Sequence, residues 1–322
     1  MRTIHAATVR WLGGMLALAV GLGCAAGGQP RAPRWERQEY RQVCMGVQAR
    51  IVLWTREHDV GVVAARAAFA RLAEVERALS DWLVDGEVAR LESRAGLGPV
   101  PASDDLHGCL ERALAIARAS DGAFDPTVGA LTRLWRAARA DGVRPDAAAL
   151  DAARATVGWR AVRLDAAART VELARADTRL DLGGIGKGWG ADMALATLAE
   201  HKVERALVAL GGDVALGAPP PHAAGWSIDA PEVGEVLELE HCGVSSSGDS
   251  QQFLLIDGER TSHLLEPRSG VGVVGRAAVT VVAADAATAD GLASAVSVAG
   301  PKGEALVRAA FPGARILRPN TP

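Results

Sequence analysis

The chain has 322 residues, a formal net charge of −3 and 49% apolar residues. A charge so close to neutral, without clusters of lysine or arginine, argues against a nucleic-acid surface. Once a leader is removed, about 300 residues remain, which is enough for one large domain or two modest ones with a real core. A small-molecule site is therefore the better expectation.

The N-terminus has the organisation of an export signal. Arg2 and Arg10 precede and flank an apolar run over residues 11–22, and Cys24 follows among small residues. This run is shorter than the about 20 apolar residues that a membrane span needs. The stretch Val20-Gly-Leu-Gly-Cys24 resembles a bacterial lipobox, so we expect a lipid anchor on Cys24. A plain signal peptide cut nearby is the alternative.

These features divide the chain into three predicted parts: a lipoprotein signal peptide over residues 1–23, a polar linker over 24–37 and a single domain over 38–322. We expect the mature protein to be exported and anchored to a membrane, at its periplasmic face or at the cell surface. Three cysteines would remain, Cys44, Cys109 and Cys242. An odd number permits at most one disulfide and gives no disulfide framework.

The predicted elements begin with a strand over residues 41–54 and a helix over 62–83, from alternating and helical apolar spacing respectively. Two more helices are predicted over 104–118, where Ser103 can cap, and over 146–156. The pattern then changes to mostly strands. Strands are predicted at 162–165, 170–173, 180–182, 206–210, 226–228, 236–239, 253–256, 279–283 and 314–317, and helices from the glycine-rich turn to about 199, over 287–299 and over 304–310.

Hairpins with helices between them indicate an α+β fold rather than a doubly wound parallel sheet. The dipeptide Asp257-Gly258 after residues 253–256 is a typical hairpin turn. No repeat interrupts the pattern, which favours one domain.

The most informative stretch is Asp181-Leu-Gly-Gly-Ile-Gly-Lys-Gly-Trp-Gly-Ala-Asp192. Its five glycines allow backbone to approach a ligand, and the start of the helix behind them attracts anions. The spacing matches neither a Walker loop nor a dinucleotide-binding fingerprint. The residues alone therefore leave two interpretations open, a phosphate-binding turn and a purely structural one.

Four further polar motifs occur in the chain. They are Asp121-Gly-Ala-Phe-Asp-Pro-Thr-Val-Gly129, Leu210-Gly-Gly-Asp213, Ser245-Ser-Ser-Gly-Asp249 followed by His263-Leu-Leu-Glu-Pro-Arg-Ser-Gly270, and Ala289-Asp-Gly-Leu-Ala-Ser294. The last places Asp290 and Ser294 four residues apart, hence on one face of a helix. The first three motifs are expected at loop or glycine-rich positions.

In this order the motifs resemble the ApbE family, the FAD:protein FMN transferases, which are exported bacterial flavin-handling enzymes. The resemblance runs from about residue 45 to 299. It implies a single ApbE-like, T-fold-like domain of hairpin sheets and helices. It also implies transfer of FMN from FAD to a threonine or serine of an exported or membrane redox protein, with release of AMP. Mg²⁺ is the implied metal, with Mn²⁺ as the alternative.

The resemblance assigns roles to individual residues. Asp290, Ser294 and the carbonyl of Gly184 match metal ligands, an all-oxygen set that suits Mg²⁺. Lys187, one of three lysines among 35 basic residues, and Asp181 match FAD contacts. For Asp290 the alternative is a charge near a helix N-terminus, and for Asp181 a structural cap.

The remaining assignments concern the flavin, the adenosine and the base. His263 is the candidate base, because an imidazole suits deprotonation of a hydroxyl near neutral pH. Leu265 matches a backbone contact to adenine or ribose. Five more residues match the flavin side of the site: Ala123, Phe124, Asp125 and, on the isoalloxazine ring, Met45 with Trp82. Core packing is the alternative for Trp82.

Several positions depart from the family pattern. Val47, Glu92, Ala130, Gly186, Trp189, Glu266 and Ser294 stand where the family usually has Thr, Asn, Pro, Ala, Tyr, Asp and Thr. Two other functions therefore stay open: an FAD pyrophosphatase that releases FMN and AMP to water, and a flavin-binding lipoprotein without turnover.

Overall fold

The computed structural model describes residues 34–230, 233–247, 253–256, 259–262, 264–273 and 278–319. The predicted signal peptide, Cys24 and His263 therefore lie outside the described residues. Within these ranges, no helix combines the length and apolarity needed to cross a membrane.

The elements alternate between short strands and helices. The strands are β1 (Glu36–Cys44), β2 (Val47–Thr55), β3 (Val100–Pro101), β4 (Val162–Asp165), β5 (Thr170–Leu173), β6 (Ala206–Leu210), β7 (Asp213–Leu216), β8 (Trp226–Ala230), β9 (Glu235–Leu239), β10 (Cys242–Ser247), β11 (Phe253–Ile256), β12 (Glu259–Ser262), β13 (Val279–Ala283) and β14 (Arg315–Leu317). The helices are α1 (His58–Leu79), α2 (Glu87–Ser93), α3 (Asp104–Ala119), α4 (Gly129–Asp141), α5 (Ala147–Ala155), α6 (Gly186–Glu200) and α7 (Ala286–Ala310).

Seven strands form the main sheet in the order β1-β2-β6-β7-β10-β13-β14. Every neighbouring pair in it is antiparallel. Three smaller sheets accompany it, namely β3-β5-β4, β8-β9 and β11-β12. The predicted α+β fold of hairpin sheets and helices is confirmed.

The two faces of the main sheet are covered differently. On one face, alanine and leucine side chains of α1 and α6, such as Ala68, Leu72 and Ala194, pack against Ile51 and Val208 of the sheet. The small alanines let these helices lie close to the strands. On the other face, the β8–β9 hairpin covers the sheet with the fully buried Trp226, whose indole nitrogen donates to the carbonyl of Ala218 at 3.0 Å.

The predicted single strand over residues 41–54 is wrong. The chain reverses after Cys44, and β1 and β2 pair as a hairpin in which Cys44 is opposite Val47. The two turn residues, Met45 and Gly46, both have positive φ, 51° and 71°. A two-residue hairpin turn needs positive φ at both of its residues. The sequence does not reveal this turn, because left-handed backbone is uncommon for a methionine.

Three further predictions need correction. Residues 180–182 form no strand, and the nearest pairing is one isolated parallel bridge between Val128 and Arg179. Ser245 lies within β10, not in a loop. The two predicted C-terminal helices run as α7, interrupted where Gly300 takes φ 64° before Pro301. The remaining predicted helices and strands are present, with bounds shifted by a few residues.

The start of α7 is packed very tightly against its neighbours. A Cβ on Gly188 of α6 would lie 2.2 Å from the carbonyl oxygen of Ala286, and one on Gly243 of β10 would lie 2.2 Å from its nitrogen. The carboxylate of Asp192 accepts hydrogen bonds from Ala286 and Ala287, both at 2.9 Å. Two glycines and one aspartate therefore fix α7 against α6 and the sheet, and α7 carries Asp290 and Ser294.

Candidate active site

A cavity of about 590 Å³ opens where α6, α7 and the ends of β7 and β10 meet the loops around Asp125 and Leu265. Its volume is in the usual range for a small-molecule site. Ten of the twelve residues predicted for the site line it: Trp82, Ala123, Phe124, Asp125, Asp181, Gly184, Lys187, Leu265, Asp290 and Ser294. The structure thus brings together residues that are more than 200 positions apart in the sequence.

A buried ionic cluster forms the deep end of the cavity. The ammonium of Lys187 lies 2.9 Å from Oδ2 of Asp213 and 3.5 Å from Oδ2 of Asp290, and it also donates to the carbonyl of Gly183 at 3.2 Å. Oδ1 of Asp213 accepts from the hydroxyl of Ser245 at 2.5 Å. The two aspartates are buried, whereas 28% of the Lys187 side chain is exposed toward the cavity.

The charges in this cluster determine its protonation. Burial alone would lower the pKa of Lys187, but the charges of Asp213 and Asp290 outweigh it and hold that pKa above its usual value. Burial, reinforced by the charge of Asp213, raises the pKa of Asp290, and Lys187 opposes this rise. Lys187 is therefore a permanent cation between two carboxylates.

The three residues predicted as metal ligands, Gly184, Asp290 and Ser294, all line the cavity. The hydroxyl of Ser294 lies 3.5 Å from the carbonyl oxygen of Gly184, a separation too long for a strong hydrogen bond. Among the described residues, the hydrogen bonds to Asp290 from Lys187 and Gly188 both go to Oδ2. These oxygens fit a hard divalent cation such as Mg²⁺. No group of three or more His, Cys, Asp or Glu side chains with metal-binding geometry occurs among the described residues.

The opposite side of the cavity is a rim organised by Arg136 of α4. Its guanidinium pairs with Asp81, lies 3.4 Å from Oδ2 of Asp181 and stacks over the ring of Trp82 at 4.2 Å. Trp82 is 69% exposed. The alternative of core packing for Trp82 is therefore excluded, and its ring is available to a flat ligand.

Asp181 has a second, local contact. Its Oδ1 accepts from the backbone N–H of Gly183 at 2.7 Å, which holds the glycine-rich turn that leads into α6. Burial and the charge of Asp181 raise the pKa of the neighbouring Asp81, and Arg136 opposes this rise. The rim is therefore held by one arginine shared between two carboxylates.

Asp125 is mainly a structural residue of the cavity wall. Oδ1 accepts from the backbone N–H and the hydroxyl of Thr127, at 2.8 and 2.6 Å, and Oδ2 accepts from the N–H of Trp159 at 3.0 Å. Burial raises the pKa of this carboxyl, although these hydrogen bonds oppose the rise. The adjacent Phe124 packs beside Gly184 and closes the wall.

Two predicted residues, Met45 and His263, are not among the described residues that line the cavity. Met45 does not line the cavity; its sulfur lies 2.9 Å from where a Cβ on Gly190 would stand, and its side chain packs between the two largest core clusters. His263 lies outside the described residues, between Ser262 and Leu264, and Leu264 lines the cavity.

Asp213, Ser245, Arg136 and Arg139 also line the cavity, although they were not among the residues predicted for the site. The motifs Leu210-Gly-Gly-Asp213 and Ser245-Ser-Ser-Gly-Asp249 mark the first two. Arg136 and Arg139 have no comparable signal, because they lie on a helix where an exposed arginine is ordinary.

The fold and the cavity together define an α+β protein with a cavity of small-molecule size, lined by a lysine and by several oxygen atoms. The model of the ApbE family matches residues 45–317 of the chain. The chain belongs to the ApbE family, and with it to the transferase enzymes.

Individual relatives agree with this assignment. The FAD:protein FMN transferase of Treponema pallidum is 32% identical, over 96% of this chain and 91% of the relative, and that of Vibrio cholerae is 30% identical over 71% of each. Among solved structures, the flavin transferase ApbE from Vibrio cholerae has a TM-score of 0.77 at 27% identity, covering 88% of this chain and 94% of that chain. The ApbE protein from Thermotoga maritima has the same TM-score at 28% identity, covering 88% and 97%.

Proposed function

We propose that this protein transfers FMN from FAD to a threonine or serine hydroxyl of an exported or membrane redox protein. The observation that carries the proposal is the meeting of Lys187, three oxygen donors and an exposed tryptophan around one cavity. A dinucleotide with a diphosphate in its middle and a flat ring at one end matches these features. The names of the curated relatives support the same reaction.

Mg²⁺ is the metal we propose, with Mn²⁺ as the alternative, held by Asp290, Ser294 and the carbonyl of Gly184. Bound there, a divalent ion would neutralise charge that develops on the diphosphate. The buried position of Asp290 and the tight packing of α7 support a preformed set of ligands.

In the proposed reaction, the acceptor oxygen forms a new bond to the phosphorus of the FMN half. The bond from that phosphorus to the bridging oxygen breaks, and AMP leaves with the bridging oxygen. The hydroxyl proton passes to a base, for which His263 remains our candidate. Lys187 would orient the diphosphate as a fixed cation, since Asp213 and Asp290 hold it in place.

At the rim, Trp82 would stack on the isoalloxazine ring, and Asp181 would accept a hydrogen bond from a hydroxyl or ring nitrogen of FAD. Phe124 and Leu265 would supply apolar walls. These contacts would position FAD before the acceptor protein binds. Positioning of the reactants is the main contribution that a protein makes to phosphoryl-type transfer.

The test is a transfer assay with FAD, Mg²⁺ and a flavoprotein domain that carries a suitable threonine. We expect the acceptor to gain the mass of one FMN, with one AMP released per transfer. His263→Ala should abolish the gain, and His58→Ala, at an exposed histidine of α1 that does not line the cavity, should leave it unchanged. No mass gain with any flavoprotein acceptor from the same organism would contradict the proposal.

Two outcomes of the same assay identify the other functions. Steady formation of FMN and AMP without acceptor, with no gain in acceptor mass, would show a pyrophosphatase. FAD retained in stoichiometric amount, with no AMP over hours, would show a binding protein without turnover.

We also propose that the protein is exported and anchored by a lipid on Cys24. The lipobox-like sequence before Cys24 supports this. In cells fed labelled palmitate, the wild-type chain should take up label and move to the membrane fraction, and Cys24→Ser should do neither.

A further inference from the structure

Glu92 of α2 has a largely buried side chain, 9% of which is exposed, and it does not line the FAD cavity proposed above. Its Oε1 accepts from the backbone N–H of Leu180 at 2.7 Å, and both of its oxygens accept from the guanidinium of Arg133 at 2.9 Å. Its Oε2 also lies 3.9 Å from Nε of Arg179. One carboxylate on α2 therefore joins the segment over residues 179–181 to helix α4.

The two groups that Glu92 holds lie next to residues of the rim. Leu180 precedes Asp181 in the chain, and Arg133 lies one helical turn before Arg136 on the same face of α4. Asp181 and Arg136 line the cavity, and their side chains approach within 3.4 Å. The segment and the helix are therefore joined by two successive carboxylate–arginine contacts, of which only the Asp181–Arg136 contact lies at the cavity.

The backbone of the segment packs against the first turn of α4. A Cβ on Gly129 would lie 2.5 Å from the carbonyl oxygen of Leu180. Arg136 lies about two turns further along the helix. The contact between Glu92 and Arg133 stands between these two points, so it aligns the segment with the part of the helix that carries Arg136.

We propose that Glu92 is a positioning residue of the FAD site, which sets the placement of Asp181 relative to Arg136 and thereby the shape of the rim. The inference rests on the proposed function, and it adds a residue that lies outside the cavity. Residues in one hydrogen-bond network are energetically coupled, so loss of Glu92 should reach the rim through its neighbours. The deep side, with Lys187 and Asp290, should not be affected.

The experiment compares the wild-type chain with Glu92→Gln, which removes the negative charge and keeps the shape of the side chain. Kd for FAD is measured by titration calorimetry, and KM and kcat by the transfer assay described above. Hydrogen exchange of the backbone amides is followed by mass spectrometry on the protein without ligand.

The matched control is Glu304→Gln. Glu304 also accepts hydrogen bonds from two arginines, Arg308 at 2.7 Å and Arg318 at 2.8 Å, and 15% of its side chain is exposed. It does not line the cavity. This variant therefore loses a similar set of ion pairs at a place that has no contact with the rim.

We expect Glu92→Gln to raise Kd and KM for FAD on the order of tenfold, with kcat within about twofold of wild type. Amide exchange should become faster over residues 179–184, where the N–H of Gly183 donates to Asp181. Glu304→Gln should leave Kd, KM and kcat unchanged. In an Asp181→Asn background, Glu92→Gln should change KM by less than about twofold, because the contact through which it acts is already lost.

An unchanged Kd for FAD in folded Glu92→Gln would overturn the proposal, and so would full additivity of Glu92→Gln with Asp181→Asn. If Glu92→Gln does not fold, the double variant Glu92→Gln/Arg133→Gln, which removes both charges of the pair, decides by the same criteria. If wild type binds FAD but no form of the protein transfers FMN, the proposed function fails instead. The Kd values and the exchange rates then still decide whether Glu92 positions the rim.

Discussion

The two sides of the large cavity hold their charged groups in different ways. On the deep side, Lys187 is held between two buried aspartates on elements fixed by close glycine contacts. On the rim, Arg136 spans two carboxylates and stacks over Trp82, which is 69% exposed. Rigid buried charges suit the stabilisation of a reacting diphosphate, whereas an exposed flat surface suits capture of a ring. We therefore expect changes on the deep side to affect turnover, and changes on the rim to affect affinity.

The largest effect should come from Asp290. Asp290→Asn keeps the shape of the side chain but removes one negative charge from the proposed metal ligands, so we expect kcat for transfer to fall about a thousandfold. Chemical denaturation should show a folded protein, which separates this from loss of structure. A variant with near-normal kcat would contradict the proposed place of the metal.

Gly188→Ala should be the most damaging change to packing on the deep side. The new Cβ would lie 2.2 Å from the backbone oxygen of Ala286, which cannot move without moving α7. We expect the free energy of unfolding to fall by about 3 kcal/mol, measured by urea denaturation. Gly186→Ala is the matched control in the same helix, because its Cβ would meet only side chains at 3.7 Å or more and should cost no stability.

Asp192, which accepts hydrogen bonds from the start of α7, should make the stability of the protein depend on pH. Burial raises the pKa of this carboxyl from 3.8 to about 6. The folded state then binds a proton more readily than the unfolded state, so this contribution to stability is full below pH 3.8 and is lost as the pH rises through about 6.

The measurement is the free energy of unfolding of wild type and Asp192→Asn between about pH 4 and 6. We expect the wild-type value to fall by roughly 2 kcal/mol relative to the variant across this window. Parallel pH profiles of the two proteins would show that Asp192 titrates as an ordinary aspartate.

The smallest of these effects belongs to the rim. Trp82→Ala should raise KM for FAD about tenfold with little change in kcat, because it removes a stacking surface and leaves the deep side intact. Trp82→Phe retains a flat ring and should lie close to wild type. If Trp82→Ala instead lowers kcat and leaves KM unchanged, the division between the two sides is wrong.

Most of the deep side, together with Trp82 and Asp181 of the rim, was predictable from sequence, whereas Arg136, which organises the rim, was not. Glycine-rich turns and the Asp290–Ser294 spacing are local patterns that a sequence displays directly, and the structure brings them to one cavity. The contact between Arg136 and Asp181 joins residues 45 positions apart, on a helix not predicted over residues 129–141. Long-range pairing of an ordinary surface arginine leaves no local pattern.

The hairpin of β1 and β2 shows a second limit. Both strands have high strand propensity, so the alternation continues through the turn and suggests one long strand. The reversal depends on positive φ at Met45, which the rest of the fold imposes. That turn also places the partly buried Met45 between two core clusters and outside the cavity lining, and its predicted contact with the flavin stays a prediction.

The hydrogen bond from Trp159 to Asp125 has a consequence for how two ligands would affect each other. Because the donor is the backbone N–H of Trp159, a displacement of that backbone would shift or break the contact with Asp125, which lines the large cavity. A ligand that moved this segment would thus alter the wall of the large cavity through the Asp125 side chain. Mutual dependence of its affinity and that of FAD would then require no second subunit and no movement of domains.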